Sequence, residues 1–161
     1  MDASDGFEIG HHQRTDQVEI LELVQSPDTV DDWGKLVTSL EFFNAARVRL
    51  EVFYEHWREP LRNKCPGFTE KVALGSVDGH SALRSTLSCP KAPQTGKPEN
   101  FTAILVQGDA HMMMVQIAFR RPLSPPDAAL IEHVAGSLKI CYQGMEDACS
   151  TRTASGFVAA R

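Results

Sequence analysis

The first forty or so residues alternate in a way that predicts three β-strands. Residues 6–14 alternate apolar with polar or small side chains, which is typical of an edge strand with one covered face. A run rich in Val, Ile and Leu at 17–24 ends at a Ser-Pro-Asp turn signal, and residues 36–43 form a third run. Between them, Asp31 and Asp32 predict a short helical turn, because carboxylates favour the N-terminal end of a helix.

The strongest helical pattern spans residues 45–61. Apolar side chains repeat there at spacings of three and four, and charged side chains occupy most of the other positions. Asn44 is a plausible N-cap, and a Pro-Gly pair lies just beyond, so we expect the helix to end between Leu61 and Lys64. A second helix is predicted from the Ser-Pro-Pro-Asp sequence at 124–127, which combines an N-cap, an early proline and an acidic third position.

Two hairpins are predicted between these helices. The runs 68–76 and 80–88 flank an Asp-Gly pair, which is a strong hairpin signal between apolar segments. The runs 101–107 and 112–120 flank Gly-Asp, and one face of the last strand is expected to meet the core through Met113, Val115, Ile117 and Phe119. The order βββ-α-ββ-ββ-α predicts an α+β fold, a mainly antiparallel sheet of about six to seven strands with two main helices packed on it.

Length and composition fit one folded domain. The chain has 161 residues, of which 42% are hydrophobic and 23% are charged, a composition that is typical of globular proteins. We expect a disordered N-terminus at 1–5, a single domain at 6–149 and a flexible C-terminal tail at 150–161. The tail prediction rests on its Ser, Thr, Ala and Gly content and its lack of periodicity.

The charge balance narrows the range of partners. The formal net charge of −5 disfavours a surface for nucleic acid, which needs clustered Lys and Arg to neutralise phosphates. No apolar run approaches the roughly 18 residues that span a bilayer, so we expect no membrane insertion. The sequence does not indicate an oligomeric state.

Four cysteines bear on the compartment. None forms a CxxC pair, and several disulfide connectivities are open. We favour Cys65 with Cys89, and Cys141 with Cys149, although the second pair could equally be free buried thiols. Together with an acidic, polar N-terminus that looks like the start of a mature chain after signal removal, this predicts a periplasmic or secreted protein. A cytoplasmic protein with reduced core cysteines is the alternative.

The sequence His-Met-Met-Met at 111–114 is the one grouping that suggests a cofactor. Imidazole and thioether ligands together suit copper in an oxidising compartment, and His111, Met112 and Met114 are the candidate ligands for copper or haem. We favour the competing interpretation, in which the methionines fill the core, and therefore assign no cofactor. No GxSxG or other nucleophile motif is present, so we expect no enzymatic activity.

The segment 89–99 is the best candidate for recognition. Three prolines and a glycine exclude regular structure there. Prolines lower the entropy cost of presenting side chains, and a disulfide at Cys89 would anchor the segment. The tentative partner-binding residues are Gln94, Thr95, Lys97 and Glu99. A purely structural crossover is the alternative.

Several short stretches of the sequence resemble a group of small, uncharacterised secreted bacterial proteins. Cys65-Pro66-Gly67, Cys89-Pro90 with the sequence 95–99, and the sequence 115–120 carry this resemblance, which covers roughly residues 6–141 and includes no catalytic motif. The element order resembles the PsbP/Mog1-like α/β/α sandwich, whose members are mostly binding, adaptor or assembly proteins. The resemblance implies a non-enzymatic periplasmic protein that recognises a protein partner, such as an immunity or secretion-system accessory protein.

Overall fold

The computed structural model describes residues 6–141 and the backbone of 156–159. The predicted disordered N-terminus therefore lies outside the described residues, as does most of the predicted tail. The elements are β1 Phe7–Arg14, β2 Val18–Gln25, β3 Lys35–Phe42, α1 Leu50–Lys64, β4 Thr69–Val77, β5 His80–Cys89, β6 Glu99–Gln107, β7 Met112–Phe119, α2 Pro125–Ser137 and β8 Gly156–Ala159.

The strands form one antiparallel sheet in the order β1-β2-β3-β7-β6-β5-β4-β8. The strands β1 to β3 make one meander and β4 to β7 a second. The two meanders join where β3 pairs with β7, and α1 provides the crossover between them. The α+β prediction is confirmed, with seven strands before α2 and a short eighth strand against β4, inside the predicted tail.

The two helices cover opposite faces of the sheet. On one face, Leu50 and Tyr54 of α1 pack against side chains of β5, β6 and β7, including Met112 and Met114. On the other, α2 packs against Val37, Ile117 and Phe119. Since successive strand residues point to opposite faces, β6 and β7 are buried from both sides. The structure is a three-layer α/β/α arrangement.

The hairpin between β4 and β5 turns at Asp78 and Gly79, as predicted. Both residues have a positive φ, 50° and 81° respectively, which is the geometry of a two-residue hairpin turn that matches strand twist. The Asp78 carboxylate also accepts a hydrogen bond from the Ile140 N–H at 2.8 Å. This bond ties the turn to the segment that follows α2.

The prediction that Asn44 caps α1 is wrong. The helix begins at Leu50, and Asn44 has a left-handed φ of 58°. Tertiary hydrogen bonds hold the intervening segment out of the helix: the Asn44 N–H donates to Nδ1 of His111 at 3.0 Å, and Gln107 Nε2 donates to the Ala46 carbonyl at 2.6 Å. The end of α1 at Lys64 lies within the predicted range.

The predicted helical turn at Asp31 and Asp32 is also absent from the described structure. The Asp32 N–H donates to the Thr29 hydroxyl at 3.2 Å, and the Gly34 N–H donates to the Asp28 carboxylate at 2.7 Å. Side-chain oxygens thus take backbone donors that a helix would need. The resulting bend lays Trp33 on the α1 face of the sheet, where it packs with Val24, Leu36 and Phe101.

Candidate ligand-binding cleft

A disulfide joins the end of α1 to the end of β5. Cys65 and Cys89 are bonded, as predicted, with their Cα atoms 5.9 Å apart. Ala92 and Phe68 pack against this pair, and Ala92 is only 2% exposed. Cys141 is disulfide-bonded as well, but its predicted partner, Cys149, lies outside the described residues.

Residues 90–98, here called the proline loop, connect β5 to β6 as a compact turn. The Ala92 N–H donates to the Lys97 carbonyl at 2.9 Å, and the Gly96 N–H donates to the Ala92 carbonyl at 2.7 Å. Gly96 has a φ of 68°, so the turn requires a residue that tolerates the left-handed region. Internal hydrogen bonds and the disulfide therefore both fix the loop.

A cleft lies between α1, the proline loop and the sheet. Its larger hollow has a volume of about 320 Å³ and an apolar lining of Pro60, Leu61, Phe68, Ala92, Pro93 and Phe101, closed on one side by the disulfide. A second hollow of about 190 Å³ shares Pro60, Leu61, Glu99 and Phe101 and adds Trp33, Trp57, Gln116 and Ala118. We refer to the two adjoining hollows as the α1 cleft.

Aromatic side chains form its inner wall. Trp57 meets Phe101 edge to face, with ring centroids 6.1 Å apart and an interplanar angle of 88°. Trp57 also lies 5.9 Å from the Tyr54 ring. The edge-to-face contact between Trp57 and Phe101 is favourable beyond the area that it buries.

Polar groups are few in the cleft, and one pair of them is fixed. Nε of Arg120 donates to Glu99 at 3.2 Å, Nη1 donates to the Asp31 carbonyl at 3.2 Å, and the guanidinium lies 4.0 Å from the Trp33 ring centroid. Lys64, at the last position of α1, also lines the larger hollow. In the part of the chain that the structure describes, no ion pair involves Lys64.

A polar network anchors the opposite flank of α1 to β4. The Tyr54 hydroxyl donates to Glu70 at 3.0 Å, and Arg58 donates to both Glu70 and Glu55. Burial raises the pKa of Tyr54 to about 12, so the phenol stays protonated and able to donate at neutral pH. This network holds α1 on the sheet from the side away from the α1 cleft.

The predicted recognition residues divide into two groups. Gln94 and Glu99 line the larger hollow, whereas Thr95 and Lys97 belong to the turn of the proline loop and do not line it. The sequence did not single out Leu61, Phe101 or Arg120 for this site. A weak signal existed in the apolar stripe of α1, but only the packing of the helix on β6 brings that stripe to the loop.

The predicted metal ligands lie elsewhere. Met112 and Met114 are 0% and 2% exposed and pack among apolar side chains beneath α1. His111 lies at the edge, where its ring contacts Phe43 and its Nδ1 accepts from the Asn44 N–H. Across the described residues, no three His, Cys, Asp or Glu side chains are grouped to hold a metal ion. The two thioethers act here as core packing.

Comparison with known proteins does not assign a family. No family model matches the chain, and no curated protein matches it. One solved structure to which the chain is similar is the crystal structure of PA94, a protein of unknown function from Pseudomonas aeruginosa. The TM-score is 0.48 and the sequence identity 13%, over 75% of this chain and 78% of that chain. A likeness at this level does not extend to function.

Proposed function

We propose that this protein is a non-enzymatic binding protein whose α1 cleft receives an apolar side chain from a segment of a partner protein. The observation that carries this proposal is the 320 Å³ apolar hollow beside a loop that is fixed by a disulfide. Its volume is at the small end of ligand pockets, which suits one side chain better than a cofactor. An apolar centre with polar groups at the margin is also the anatomy of protein interfaces.

The polar networks support binding over catalysis. The groups with displaced pKa values that are most buried, Tyr54 and Asp127, hold α1 and α2 in place, and neither lines the α1 cleft. Arg120 and Glu99 do line it, but they pair with each other. An adaptor or assembly role, including an immunity or secretion-system accessory role, belongs to the same proposal.

We also propose an oxidising compartment, the periplasm or the exterior, and a PsbP/Mog1-like version of the α/β/α arrangement. The disulfides at Cys65–Cys89 and at Cys141 support the compartment. No helix in the described ranges is long and apolar enough to cross a membrane. Protein that is denatured and alkylated at the moment of lysis should carry no alkyl adduct by intact mass, whereas four adducts would contradict an oxidising compartment.

Position-specific crosslinking tests the binding proposal. A photoreactive benzoylphenylalanine is placed at Gln94, which is exposed and lines the cleft, or at Lys71, which is exposed on β4 away from it. With cell-envelope extract, we expect a discrete protein adduct from position 94 alone, and its loss when Leu61→Asp is added.

The same adducts from both positions, or an adduct that survives Leu61→Asp, would contradict the proposal. So would a small molecule that co-purifies with the protein and is released by Leu61→Asp, seen by native mass spectrometry, in the absence of any position-dependent adduct.

A further inference from the structure

We infer that the segment received by the α1 cleft carries an acidic side chain next to its apolar anchor. This inference rests on the proposed function and concerns the chemistry of the partner. It is based on the position of Lys64 at the margin of an apolar hollow in which Glu99, the one carboxylate of the lining, is already paired with Arg120.

The charges of the lining do not cancel. Lys64 and Arg120 are cationic and Glu99 is anionic, so the hollow has an excess positive charge within a chain whose net charge is −5. Lys91 and Lys97 in the proline loop add to this excess, and Glu59, next to the lining residue Pro60, opposes it. The local charge is thus complementary to an anion, in contrast to the acidic molecule as a whole.

The hydrogen bonds of Arg120 also favour binding of an anion. Its Nε and Nη1 are used by Glu99 and the Asp31 carbonyl, and among the described residues Nη2 has no hydrogen-bond partner. A guanidinium that is already held in place loses little entropy when it binds a further carboxylate. Because Lys64 and Arg120 both line the larger hollow, a carboxylate received there would lie in positively charged surroundings.

The C-terminal end of α1 opposes anion binding, and basic residues in its last turn offset this effect. The C-terminal end of α1 carries partial negative charge, which would disfavour an anion there. Arg62 and Lys64 in the last turn of α1 compensate for it. Because Lys64 is exposed, the net advantage of an acidic neighbour should be modest, about two- to fivefold in affinity at low salt.

Two isosteric peptides provide the probe. N-acetyl-Leu-Asp-amide and N-acetyl-Leu-Asn-amide present the same apolar side chain and differ in the charge of its neighbour. Their dissociation constants are measured by two-dimensional NMR titration of the folded protein. We expect the Asp peptide to bind about two- to fivefold more tightly at low salt, and this preference to be smaller in Lys64→Met, which keeps the aliphatic stem and leaves Arg120 in place.

Lys71→Met is the matched control, because Lys71 is an exposed lysine that does not line the cleft; it should preserve the preference. Equal affinities for the two peptides in the wild-type protein, or a preference that is undiminished in Lys64→Met, would overturn the inference while leaving the proposed function intact. Binding of neither peptide, or binding unaffected by Leu61→Asp, would count against the proposed function itself.

Discussion

Asp127 accepts a dense set of hydrogen bonds at the start of α2. Its carboxylate accepts from the Ser124 N–H at 2.9 Å and from the Ser124 hydroxyl at 2.6 Å, and Arg121 donates to both oxygens. The Arg121 guanidinium holds the pKa of Asp127 well below its usual range, although burial acts in the opposite direction. A carboxylate that is 2% exposed is therefore kept ionised by its partners.

Replacing Asp127 with Asn should lower the free energy of unfolding at pH 7 by about 1–3 kcal/mol, because Arg121 and Ser124 lose one of two acceptor oxygens and the negative charge. The folded-state pKa of Asp127 is depressed, so its stabilisation is present above the unfolded-state pKa of about 4 and is lost as pH falls. The difference in urea unfolding between wild type and variant should therefore begin to shrink below about pH 4 and decrease further as pH falls toward the depressed folded-state pKa. Asp16→Asn, at an exposed position, is the control, and a constant difference at all pH values would contradict this assignment.

Gly10 is required where β1 approaches the bend before β3. A Cβ atom at this position would lie 2.8 Å from Val30 Cγ1 and 3.1 Å from Val24 Cγ2. We expect Gly10→Ala to destabilise the protein by about 1–3 kcal/mol, and by less in a Val30→Ala background, where the closest atom is removed. Thermal or urea unfolding of the wild type, the two single variants and the double variant measures this coupling.

Gly136 in α2 provides the matched glycine, because a Cβ there would meet nothing within 4 Å. Gly136→Ala should be neutral or stabilising by up to about 1 kcal/mol. Equal costs for Gly10→Ala in both backgrounds would show that contact with Val30 is not the cause.

At the scale of single residues, a hydrogen bond was predictable from the sequence only where its two partners are close neighbours along the chain. Ser124 and Asp127 lie three residues apart and bond each other, so their spacing indicated a helix start. Asn44 had the right residue type for a cap, but its backbone N–H bonds to His111, on a distant part of the chain. A local pattern carries no information on such a partner.

Among the elements, α1 and the proline loop depend on the Cys65–Cys89 disulfide that links them. The bridge closes a segment with a sequence separation of 24, and cross-linking a loop of this size removes chain entropy from the unfolded state. The double variant Cys65→Ala, Cys89→Ala should therefore lose about 2–4 kcal/mol of unfolding free energy. Urea denaturation without reductant measures the loss.

Alanine is the suitable replacement because it buries no new hydroxyl in the cluster with Ala92. The N-acetyl-Leu-Asp-amide probe should also bind the double variant more weakly, since the disulfide is a wall of the α1 cleft. A loss below about 1 kcal/mol together with unchanged peptide affinity would mean that the internal hydrogen bonds of the proline loop suffice to hold it.

The elements themselves were mostly predictable. Alternation identified the strands, and the Asp78-Gly79 turn has the backbone that its residues favour. The sequence did not predict that the second face of β7 is also buried. Met112 and Met114 on that face are core residues, as are Ile117 and Phe119 on the other. Methionines that face solvent or a cofactor have the same sequence pattern as methionines on a strand that is buried on both faces, so the sequence does not distinguish them.

For the whole molecule, burial predicts a gradient of local stability across the sheet. All residues from Phe101 to Val106 of β6 are buried, whereas β1 is exposed along almost its whole length. Native-state hydrogen exchange should therefore show the slowest amides in β6 and the paired positions of β7, and the fastest strand amides in β1. Protection in β1 comparable to that in β6 would indicate that another chain covers this edge.

The α1 cleft forms only when distant segments of the chain meet, so only one part of it, the proline loop, was predictable from the sequence. The composition of residues 89–99 indicated the proline loop. In contrast, Trp33, Trp57 and Phe101 come from three segments that are distant in sequence. Their meeting depends on the crossing of α1 over β6 and on the bend before β3. No spacing along the chain encodes that meeting, since each residue individually matches an ordinary core position.

The junction of the two meanders also divides the cleft. The eight pairs from Lys35 with Phe119 to Phe42 with Met112 join parts of the chain that are far apart in sequence, and Trp33 and Asp31 contact Arg120 across the same boundary. A chain cut within residues 43–49 would therefore consist of two pieces that this strand pairing and the packing around it hold together. Their association through β3 and β7 would bring Trp33 to the α1 cleft, so binding of the proposed ligand would report fragment complementation.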